Sequence, residues 1–229
     1  MKESDLLRHF PRLWHMAEDG SLDSIMKHGL LSTSSLLDLY GIVGKDRHGL
    51  EAQRRPESVR ISKEDFPNAV IRDQKPMTES ALAKCLDDGL TPEEWFKILN
   101  QRTFFWLSRE RLDGLLRARA YRKRPQTVLT VDTESLVNAH RERIELSPLN
   151  SGATIYNPQP RGRRTFVSIA DYPFEKWCKK RPARNAVVEL VAREGVPDIR
   201  EHLIAAHRVY NGKKKELWRR PGTRPDDGI

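Results

Sequence analysis

The chain has 229 residues, enough for one domain whose core needs no disulfide or metal to stabilise it. Its 41 lysines and arginines outnumber its 32 aspartates and glutamates, and the net charge is +9. Such a surface suits nucleic-acid phosphates, acidic membranes or anionic ligands, the alternative being a basic protein with no polyanionic partner. The two cysteines, Cys85 and Cys178, form no CxxC pair, which excludes a zinc site built on cysteine spacing and argues against a disulfide framework.

The chain shows no targeting or membrane-spanning segment. The opening MKESDLLRHF lacks the apolar stretch of a signal peptide, and no apolar run approaches the length of a membrane span. We therefore expect a soluble, cytoplasmic protein with no membrane partner, folded as a single domain over residues 1–229. Residues 44–70 are polar and weakly periodic, which predicts a variable insertion that forms a loop or a loose helix. Residues 213–229 are basic and rich in proline and glycine, which predicts a flexible tail that frays.

Helices dominate the first half of the chain. The clearest helix start is Thr91-Pro92-Glu93-Glu94, which combines a cap, a proline at the first helical position and acids in the first turn. The predicted elements are, in chain order, a short opening helix, a strand over 13–16, an amphipathic helix between the caps Ser21 and Gly29, a helix that ends at Gly41, and helices over 78–86 and from Thr91 to about Leu99.

Strands dominate the second half. The predicted strands cover residues 102–108, 126–133, 143–149, 164–169, 185–192 and 202–210, the last of them at the edge of the sheet, with a basic helix over 109–124 and a short helix over 135–142. Helices followed by strands predict an α+β fold and not alternating βαβ units. The sequence has no GxGxxG motif and no P-loop.

Glu189 is an unusual residue for its position. It stands alone inside the apolar run Ala-Val-Val-Glu-Leu-Val-Ala. Burying a carboxylate in the middle of such a strand is costly unless the group is paired or has a function. The alternative is that Glu189 points to solvent, because successive strand residues face opposite sides of a sheet.

Four segments, in order along the chain, resemble the DarT family of DNA ADP-ribosyltransferase toxins. LWHMAEDGSLDSIMKHGLLS (13–32) resembles the amino-terminal motif of that family, and IRDQKPM (71–77) resembles the region that holds its catalytic arginine. RTFFWLS (102–108) stands where the family has an aromatic strand. VVELVAREGVPDI (187–199) resembles the segment with the catalytic glutamate.

The chain also departs from that family, which makes it a divergent relative whose acceptor can differ. The asparagine that follows the family's histidine by six positions is Ser21 here. The Pro-Arg-Ser-Pro-Met sequence after the aromatic strand is replaced by RERLDGLL (109–116). Residues 44–70 and the segment LNSGATIY (149–156) have no counterpart that we can place.

The resemblance implies an ADP-ribosyltransferase-like fold, with a split β-sheet that encloses a cleft for NAD. It implies an NAD-dependent glycosyltransferase reaction in which NAD and nucleic acid yield ADP-ribosyl-nucleic acid and nicotinamide. NAD is then a substrate, and no metal is expected. The implied acceptor is a base in single-stranded DNA, and DNA is favoured over RNA as the partner. Toxin–antitoxin pairing is also implied, with an antitoxin that reverses the modification.

Three residues take the main roles that the resemblance implies. Glu189 would be the catalytic carboxylate, which favours the oxocarbenium-like ribose, holds a ribose hydroxyl and takes a proton from the acceptor. Arg72, the second catalytic candidate, would contact the pyrophosphate as a fork donor, the alternative being a surface arginine. His15 would hydrogen-bond a ribose hydroxyl, the alternative being a core histidine whose hydrogen bonds are satisfied.

Four more residues are candidates for binding NAD. Ser21 occupies the position of the family's polar asparagine. Ser32 and Thr33 would line the nicotinamide end, the alternative being that they cap the next helix, which would begin at Ser34. Phe105, with its two aromatic neighbours, would form a wall of the pocket, although an aromatic strand is more often part of the core.

The segment 171–185 mixes aromatic and basic residues and is the candidate acceptor site. Cations hold phosphates and aromatic faces stack bases, which is how proteins bind single strands. The candidates for nucleic-acid contact are Tyr172, Lys176, Trp177, Lys179, Lys180 and Arg181. The alternative is an ordinary solvated loop with one buried tryptophan. Two other functions stay open: ADP-ribosyl transfer to RNA, protein or water, and a nucleic-acid-binding module without activity.

Overall fold

The structure is a computed structural model that describes residues 1–155 and 157–229. Its helices are α1 (Glu3–His9), α2 (Leu22–His28), α3 (Thr33–Tyr40), α4 (Gly44–Glu51), α5 (Glu79–Ala83), α6 (Pro92–Asn100), α7 (Arg109–Arg117), α8 (Thr133–His140), α9 (Phe174–Cys178) and α10 (Ile199–His202). Its strands are β1 (Arg12–Glu18), β2 (Leu30–Leu31), β3 (Val59–Ile61), β4 (Ala69–Ile71), β5 (Arg102–Trp106), β6 (Gln126–Asp132), β7 (Ile144–Ser147), β8 (Val167–Ser168), β9 (Glu189–Arg193), β10 (Gly195–Val196), β11 (Leu203–Tyr210) and β12 (Lys213–Arg219).

Eight of the strands form one sheet in the order β12-β11-β6-β1-β5-β9-β7-β8. Every neighbouring pair in this sheet is antiparallel. Two small antiparallel pairs, β2 with β10 and β3 with β4, lie outside it. The predicted α+β class is confirmed, because helices and a large antiparallel sheet share one fold without βαβ units.

The sheet is weakly joined at its centre, between β1 and β5. β1 pairs with β6 from Arg12 to Glu18, along its whole length. Its register with β5 consists of the single pair Trp14–Trp106. Next to that pair, Nδ1 of the His15 imidazole lies 2.8 Å from the carbonyl oxygen of Phe104 on β5. The two strands therefore diverge, and a cleft opens between them.

Apolar side chains cover both faces of the sheet. Neighbouring residues on β9 face opposite sides, as the pleat requires. Leu190 belongs to the main core, together with residues of α1, α2, α8 and α10. Val191 belongs to a second cluster, built mainly from α5, α6 and Phe166. The structure thus holds β9, the strand that carries Glu189, between two apolar layers.

Residues 44–70 contain more structure than a loop. They include α4, which agrees with the predicted loose helix, and both β3 and most of β4, which the weak periodicity did not predict. Ile61 and Ile71 pack against Leu37 and Tyr40 of α3 in a separate apolar cluster. This small sheet forms one side of the central cleft, since Arg60 and residues 68–72 line it.

The prediction of a fraying tail is wrong for residues 213–219. This segment is β12, which pairs with β11 from Tyr210–Lys213 to Ala205–Arg219 and forms the edge of the sheet. β11 is therefore not the edge strand. Farther on, Asp227 accepts a bond of 2.8 Å from Arg12 Nη2. Lysines on an exposed edge strand hinder its pairing with other chains, and they also hide the apolar alternation from which strands are predicted.

Two further boundaries differ from the predictions. The basic helix predicted to reach Arg124 ends at Arg117 and continues as turns. The strand predicted over 164–169 is reduced to β8, because residues 163–165 form a single 3-10 turn.

The helices of the described part of the chain all lack the length and apolarity needed to cross a lipid bilayer.

Candidate functional site

The cleft between β1 and β5 has a volume of about 550 Å³ and is the first candidate site. Small-molecule sites are commonly of this size and position, in the mouth of a split or curved sheet. Seven residues predicted from the sequence line it: His15, Ser21, Ser32, Thr33, Arg72, Phe105 and Glu189. The fold thus brings together side chains from β1, α3, β5, β9 and the segments before α2 and after β4.

Glu189 is a buried carboxyl group at the start of β9, and only 4 % of the residue is exposed. The amide of Ser151 donates to both carboxylate oxygens, at 3.3 Å from Oε1 and 3.2 Å from Oε2. Burial raises the pKa of Glu189 to about 7, although the contacts with Ser151 and the charges of Arg161 and Arg111 act in the opposite direction. A carboxyl group with this pKa can accept and release a proton near neutral pH.

Arg161 fixes the loop that approaches Glu189. Its Nη1 donates to the carbonyl oxygen of Ser151 at 2.8 Å, and its Nε donates to that of Gln159 at 3.1 Å. Asn150, Ser151 and Gly152 line the cleft. The sequence reasoning missed Asn150, Ser151 and Gly152. They belong to the segment 149–156, for which the family resemblance offers no counterpart.

Arg111 is a second cation near Glu189 that the sequence reasoning missed. It lies in the first turn of α7, where Ser108 caps the helix by accepting from the Arg111 amide. Its Nε is buried without a hydrogen-bond partner among the described residues, and burial lowers its pKa. Within those residues Glu189 has no direct ion pair. Its negative charge is therefore influenced by arginines without being fixed to one.

His15 presents a neutral imidazole to the cleft. The carbonyl oxygen of Phe104 can only accept, so the His15 Nδ1 that lies 2.8 Å away carries the hydrogen. Burial lowers the pKa of His15 to about 4; the bond to Phe104 raises it in part, and the charge of Arg72 lowers it. At neutral pH Nε2 is consequently a lone-pair acceptor, as a bond from a ligand hydroxyl requires.

Arg72 is held by partners that leave part of its guanidinium without a bond. Nη1 donates to Glu18 Oε2 at 3.0 Å and to Gln126 Oε1 at 2.7 Å. The guanidinium carbon lies 5.3 Å from the centre of the Tyr121 ring. Nη2 is buried and has no hydrogen-bond partner in the described residues. Arg72 is therefore a fixed cation beside His15, with one guanidinium nitrogen that has no partner among the described residues.

The remaining NAD-binding candidates also have structural roles. Ser32 is the N-cap of α3 and accepts from the Ser35 amide at 3.2 Å, so the helix begins at Thr33, one residue before the predicted start. The Ser21 hydroxyl donates to the carbonyl oxygen of Glu18 at 2.7 Å. Phe105 belongs to the main core, and its ring centre lies 5.9 Å from that of His15. Ser21, Ser32, Thr33 and Phe105 all line the cleft, but Ser32 and Phe105 are each only 1 % exposed.

The sequence profile of a family of unknown function, DUF7002, matches residues 11–203. The chain belongs to the DUF7002 family. The matched range contains His15, Arg72 and Glu189, and it ends at the first residue of β11. A comparison with curated protein sequences found no match. The family therefore covers the whole cleft of this DUF7002 chain without assigning a function to it.

The structure corrects part of the predicted acceptor segment, residues 171–185. Tyr172 is only 2 % exposed, and its hydroxyl donates to the carbonyl oxygen of Ala186 at 2.7 Å. Its ring cannot stack on a base in this conformation, so the prediction for Tyr172 is wrong. The pattern of aromatic and basic residues could not show that this ring closes the core.

Two more residues of this segment are used in the fold of the DUF7002 chain. Arg181 Nη2 donates to the carbonyl oxygens of Pro148 and Ala186, at 2.6 and 3.1 Å. Its guanidinium lies 4.5 Å from the centre of the Trp177 ring, which packs against the main core. Lys176, Lys179 and Lys180 are exposed. All residues of 171–185 are described, and none of them lines the cleft.

A second groove of the DUF7002 chain, of about 300 Å³, is strongly basic. It lies between α7, the turns that follow it and the connection from β11 to β12. Arg117, Arg122, Arg124 and Lys214 line it. Gln126 connects it with the cleft, because this residue lines the groove and also accepts from Arg72. We call it the basic groove.

Potential metal ligands lie away from the cleft. The ligand atoms of His140, Asp198 and His202 all lie within 4.8 Å of one another. The expectation that no metal is bound rested on cysteine spacing and on the family resemblance, neither of which examines histidine and aspartate. Asp198 and His202 are four residues apart, but His140 is far away in sequence, so no local motif indicates the group.

Proposed function

We propose that this DUF7002 chain is an NAD-dependent ADP-ribosyltransferase that modifies a nucleic acid, with a base in single-stranded DNA as the favoured acceptor. The observation that carries the proposal is Glu189, a buried carboxyl group with a raised pKa that lines the central cleft. A buried, unpaired carboxyl group in a cleft is expensive to keep unless it has a function.

The chemistry needs a carboxylate at that position. In the transfer, the bond between nicotinamide and the ribose C1′ breaks, and nicotinamide leaves with the electron pair. Positive charge develops on the ribose, as in glycoside hydrolysis, and a nearby carboxylate stabilises it. A lone pair of the acceptor forms the new bond to C1′, and the proton that the acceptor loses passes to Glu189. A pKa of about 7 lets one group stabilise the cation and accept the proton.

His15 and Arg72 fit the binding of the rest of NAD. The Nε2 atom of neutral His15 can accept a hydrogen bond from a ribose hydroxyl, and the Phe104 carbonyl holds the ring in that tautomer. The Nη2 atom of Arg72, which has no bond within the described residues, can donate to a pyrophosphate oxygen. The separation of β1 from β5 supports the proposal of an ADP-ribosyltransferase-like split sheet, because it leaves a cavity of about 550 Å³ between the two halves.

The charge distribution supports a nucleic-acid acceptor. Lys176, Lys179 and Lys180 are exposed, and the same segment approaches α7 near the cleft, where the charge of Arg181 acts on Arg111. Such cations suit the phosphates of a single strand, whose bases need no extrusion from a duplex. An antitoxin that removes the modification and a cytoplasmic location, where NAD and nucleic acid are both available, complete the proposal.

A screen with labelled NAD tests the acceptor. The purified chain is incubated with NAD that is labelled in the adenine. Parallel reactions contain single-stranded DNA, duplex DNA, RNA, a protein mixture or no acceptor. The proposal predicts label on single-stranded DNA and release of nicotinamide. Label on RNA or protein would retain the reaction and change the acceptor, and nicotinamide release without any acceptor would indicate hydrolysis.

The basic surface alone also favours a second candidate, a nucleic-acid-binding module without activity. Its net charge of +9 is sufficient for salt-dependent binding. This candidate predicts that oligonucleotides bind while nicotinamide is never released. It leaves the raised pKa of Glu189 and the neutral His15 without a role, which is why we favour the transferase.

A further inference from the structure

A polar cluster joins α8 to α10 on the side of the main core. His140 is the last residue of α8, Asp198 directly precedes α10, and His202 is its last residue. Asp198 lies between the two rings, with Oδ1 2.6 Å from His140 Nε2 and Oδ2 3.4 Å from His202 Nε2. The rings meet edge to face, with their centres 5.3 Å apart. Two imidazoles and a carboxylate thus point at one small volume.

His202 carries an unsatisfied nitrogen in this cluster. The residue is only 3 % exposed, and its Nε2 is buried with no hydrogen-bond partner in the described part of the chain. Its Nδ1 lies 2.7 Å from the hydroxyl of Ser135, which can accept the Nδ1 hydrogen. In that tautomer Nε2 has a lone pair directed to the side of Asp198.

We propose that His140, Asp198 and His202 bind one divalent transition-metal cation, and Zn²⁺ is the ion whose ligand preferences we compare with this cluster. Two imidazole nitrogens and one carboxylate oxygen are a common protein ligand set for zinc, with water in the remaining position. Ligand atoms about 2.0–2.1 Å from a tetrahedral zinc lie about 3.3 Å from one another. The three ligand atoms already lie within 4.8 Å of one another, so small side-chain rotations are enough to bring them to this spacing. A bound cation would also give the buried Nε2 of His202 a partner.

Arg143 opposes the cation in the present conformation. Its Nη2 lies 2.7 Å from His140 Nδ1, and because a guanidinium only donates, Nδ1 holds the lone pair. The His140 hydrogen is then on Nε2 and is donated to Asp198. Metal binding requires this hydrogen to move to Nδ1 and Arg143 to leave. Glu194 is an available new partner, since its Oε2 already lies 3.8 Å from Arg143 Nη1.

The cluster lies behind one wall of the cleft. The residue before Asp198 is Pro197, whose backbone passes so close to Gly29 that a Cβ there would collide with it. The preceding strand β10 pairs with β2, and Ser32 of the cleft wall follows directly. A cation at the cluster would therefore stiffen this wall from outside. The metal has no part in the proposed reaction, and the inference does not depend on it.

Calorimetric titration of the tag-free, metal-stripped chain with ZnCl₂ tests the proposal. We expect one strong site per chain, and Co²⁺ should give visible absorption bands of tetrahedral intensity. Zn²⁺ at about 100 times its Kd should raise the melting temperature by about 5–10 °C. The variants Asp198→Asn and His202→Gln should weaken binding at least about tenfold, whereas His48→Gln, at an exposed histidine on α4, should bind as the wild type does.

Arg143→Gln adds a test that a site elsewhere on the chain would not pass. It removes the competing guanidinium while the three ligands stay in place, so Zn²⁺ affinity should rise several-fold. If His202→Gln does not fold, Asp198→Asn and Arg143→Gln still decide the matter, because both residues are partly exposed. The proposal is overturned if the wild type binds no stoichiometric cation, if Asp198→Asn binds as tightly as the wild type, or if Arg143→Gln binds no more tightly.

Discussion

The cleft and the basic segment 171–185 differ in how their predicted residues are used. In the cleft, all seven predicted residues line one cavity, and His15 and Glu189 have strongly shifted pKa values. In the basic segment, Tyr172 and Trp177 pack in or against the core and Arg181 binds backbone carbonyls, whereas Lys176, Lys179 and Lys180 are exposed. The motifs predicted residues that lie together in the folded chain. The content of basic and aromatic residues in 171–185 did not show which of these side chains the fold itself uses.

The basic groove sharpens this comparison, because its composition is equally basic but its cations are less engaged. Arg117, Arg122 and Lys214 have no ion pair or side-chain hydrogen bond within the described residues. Tyr210, at the rim, is 40 % exposed. The basic groove is therefore a second surface, besides the segment 171–185, that could bind a single strand and place one of its bases in the cleft.

The largest expected effect is that of Glu189→Gln. The variant keeps size and hydrogen bonding but loses the charge and the base, so transfer from NAD should fall about 10²–10⁴-fold. Circular dichroism should show an unchanged fold. Glu79→Gln, at an exposed position on α5, is the matched control and should keep full activity. Turnover by Glu189→Gln close to that of the wild type would contradict the catalytic role.

The pH dependence should follow the pKa of Glu189. Because the ionised form is the active one, kcat/KM should fall about tenfold per pH unit below about 7 and level off above it. A raised carboxyl pKa stabilises the folded chain only while the group is protonated. That contribution, about 3 kcal/mol at most, is present below about pH 4.5 and is lost as the pH rises to about 7.

Glu189→Gln separates the two pH effects. The variant has no proton to lose at this position, so its free energy of unfolding relative to the wild type should increase between pH 4.5 and pH 7. Denaturant unfolding at several pH values measures this difference. A constant difference across that range would show that the pKa of Glu189 is not raised.

Arg72→Ala and His15→Ala should weaken the binding of NAD and leave nucleic-acid affinity unchanged. The loss of a charge-assisted bond at Arg72 corresponds to about 10–100-fold in Kd, and the loss of a neutral bond at His15 to less than about tenfold. Calorimetry with a non-hydrolysable NAD analogue measures both. Arg72→Lys keeps the charge near Glu18, so its affinity for NAD should lie between those of the wild type and Arg72→Ala. Equal affinity in the wild type and all variants would place the NAD site elsewhere.

The smallest effects separate the two basic surfaces. One triple variant replaces Lys176, Lys179 and Lys180 with Ala, and the other replaces Arg117, Arg122 and Lys214 with Ala. Each lost phosphate contact should reduce the salt dependence of single-strand binding by about 0.7 in log–log slope. Because the segment 171–185 approaches α7 beside Glu189, we expect the first variant to have the flatter slope.

A flatter slope in the second triple variant alone would assign the acceptor to the basic groove. Trp177→Ala is a further probe of the segment 171–185, with an expected loss of about 1–3 kcal/mol if a base stacks there and little change in slope. Trp177 also packs against the main core, so only a variant with an unchanged melting temperature is informative.

The sequence predicted the elements whose signals are local. The capping box of Thr91 and Glu94 is present at the start of α6, and the β-branched run from Gln126 forms the interior strand β6. It failed for β12, because exposed lysines do not show which strand they join. The three-residue strand β3 is too short to show any periodicity.

The candidate site divides along the same line. His15 and Glu189 belong to recognisable motifs and were found. Ser151 acts on Glu189 through a backbone amide, which no side-chain pattern shows. Arg161 acts on that loop through another carbonyl, and the metal-ligand cluster joins residues 58 positions apart. Interactions through backbone groups, or between distant parts of the chain, became visible only in the folded structure.

Mass spectrometry of single-stranded oligonucleotides incubated with NAD and the purified chain tests the central claim most directly. The account predicts that the wild type adds the mass of one ADP-ribose to a base and releases one nicotinamide for each adduct. Glu189→Gln should yield about 10²–10⁴-fold less adduct in the same time. Oligonucleotides, RNA and protein that all remain unmodified, with no nicotinamide released by the wild type, would contradict the account.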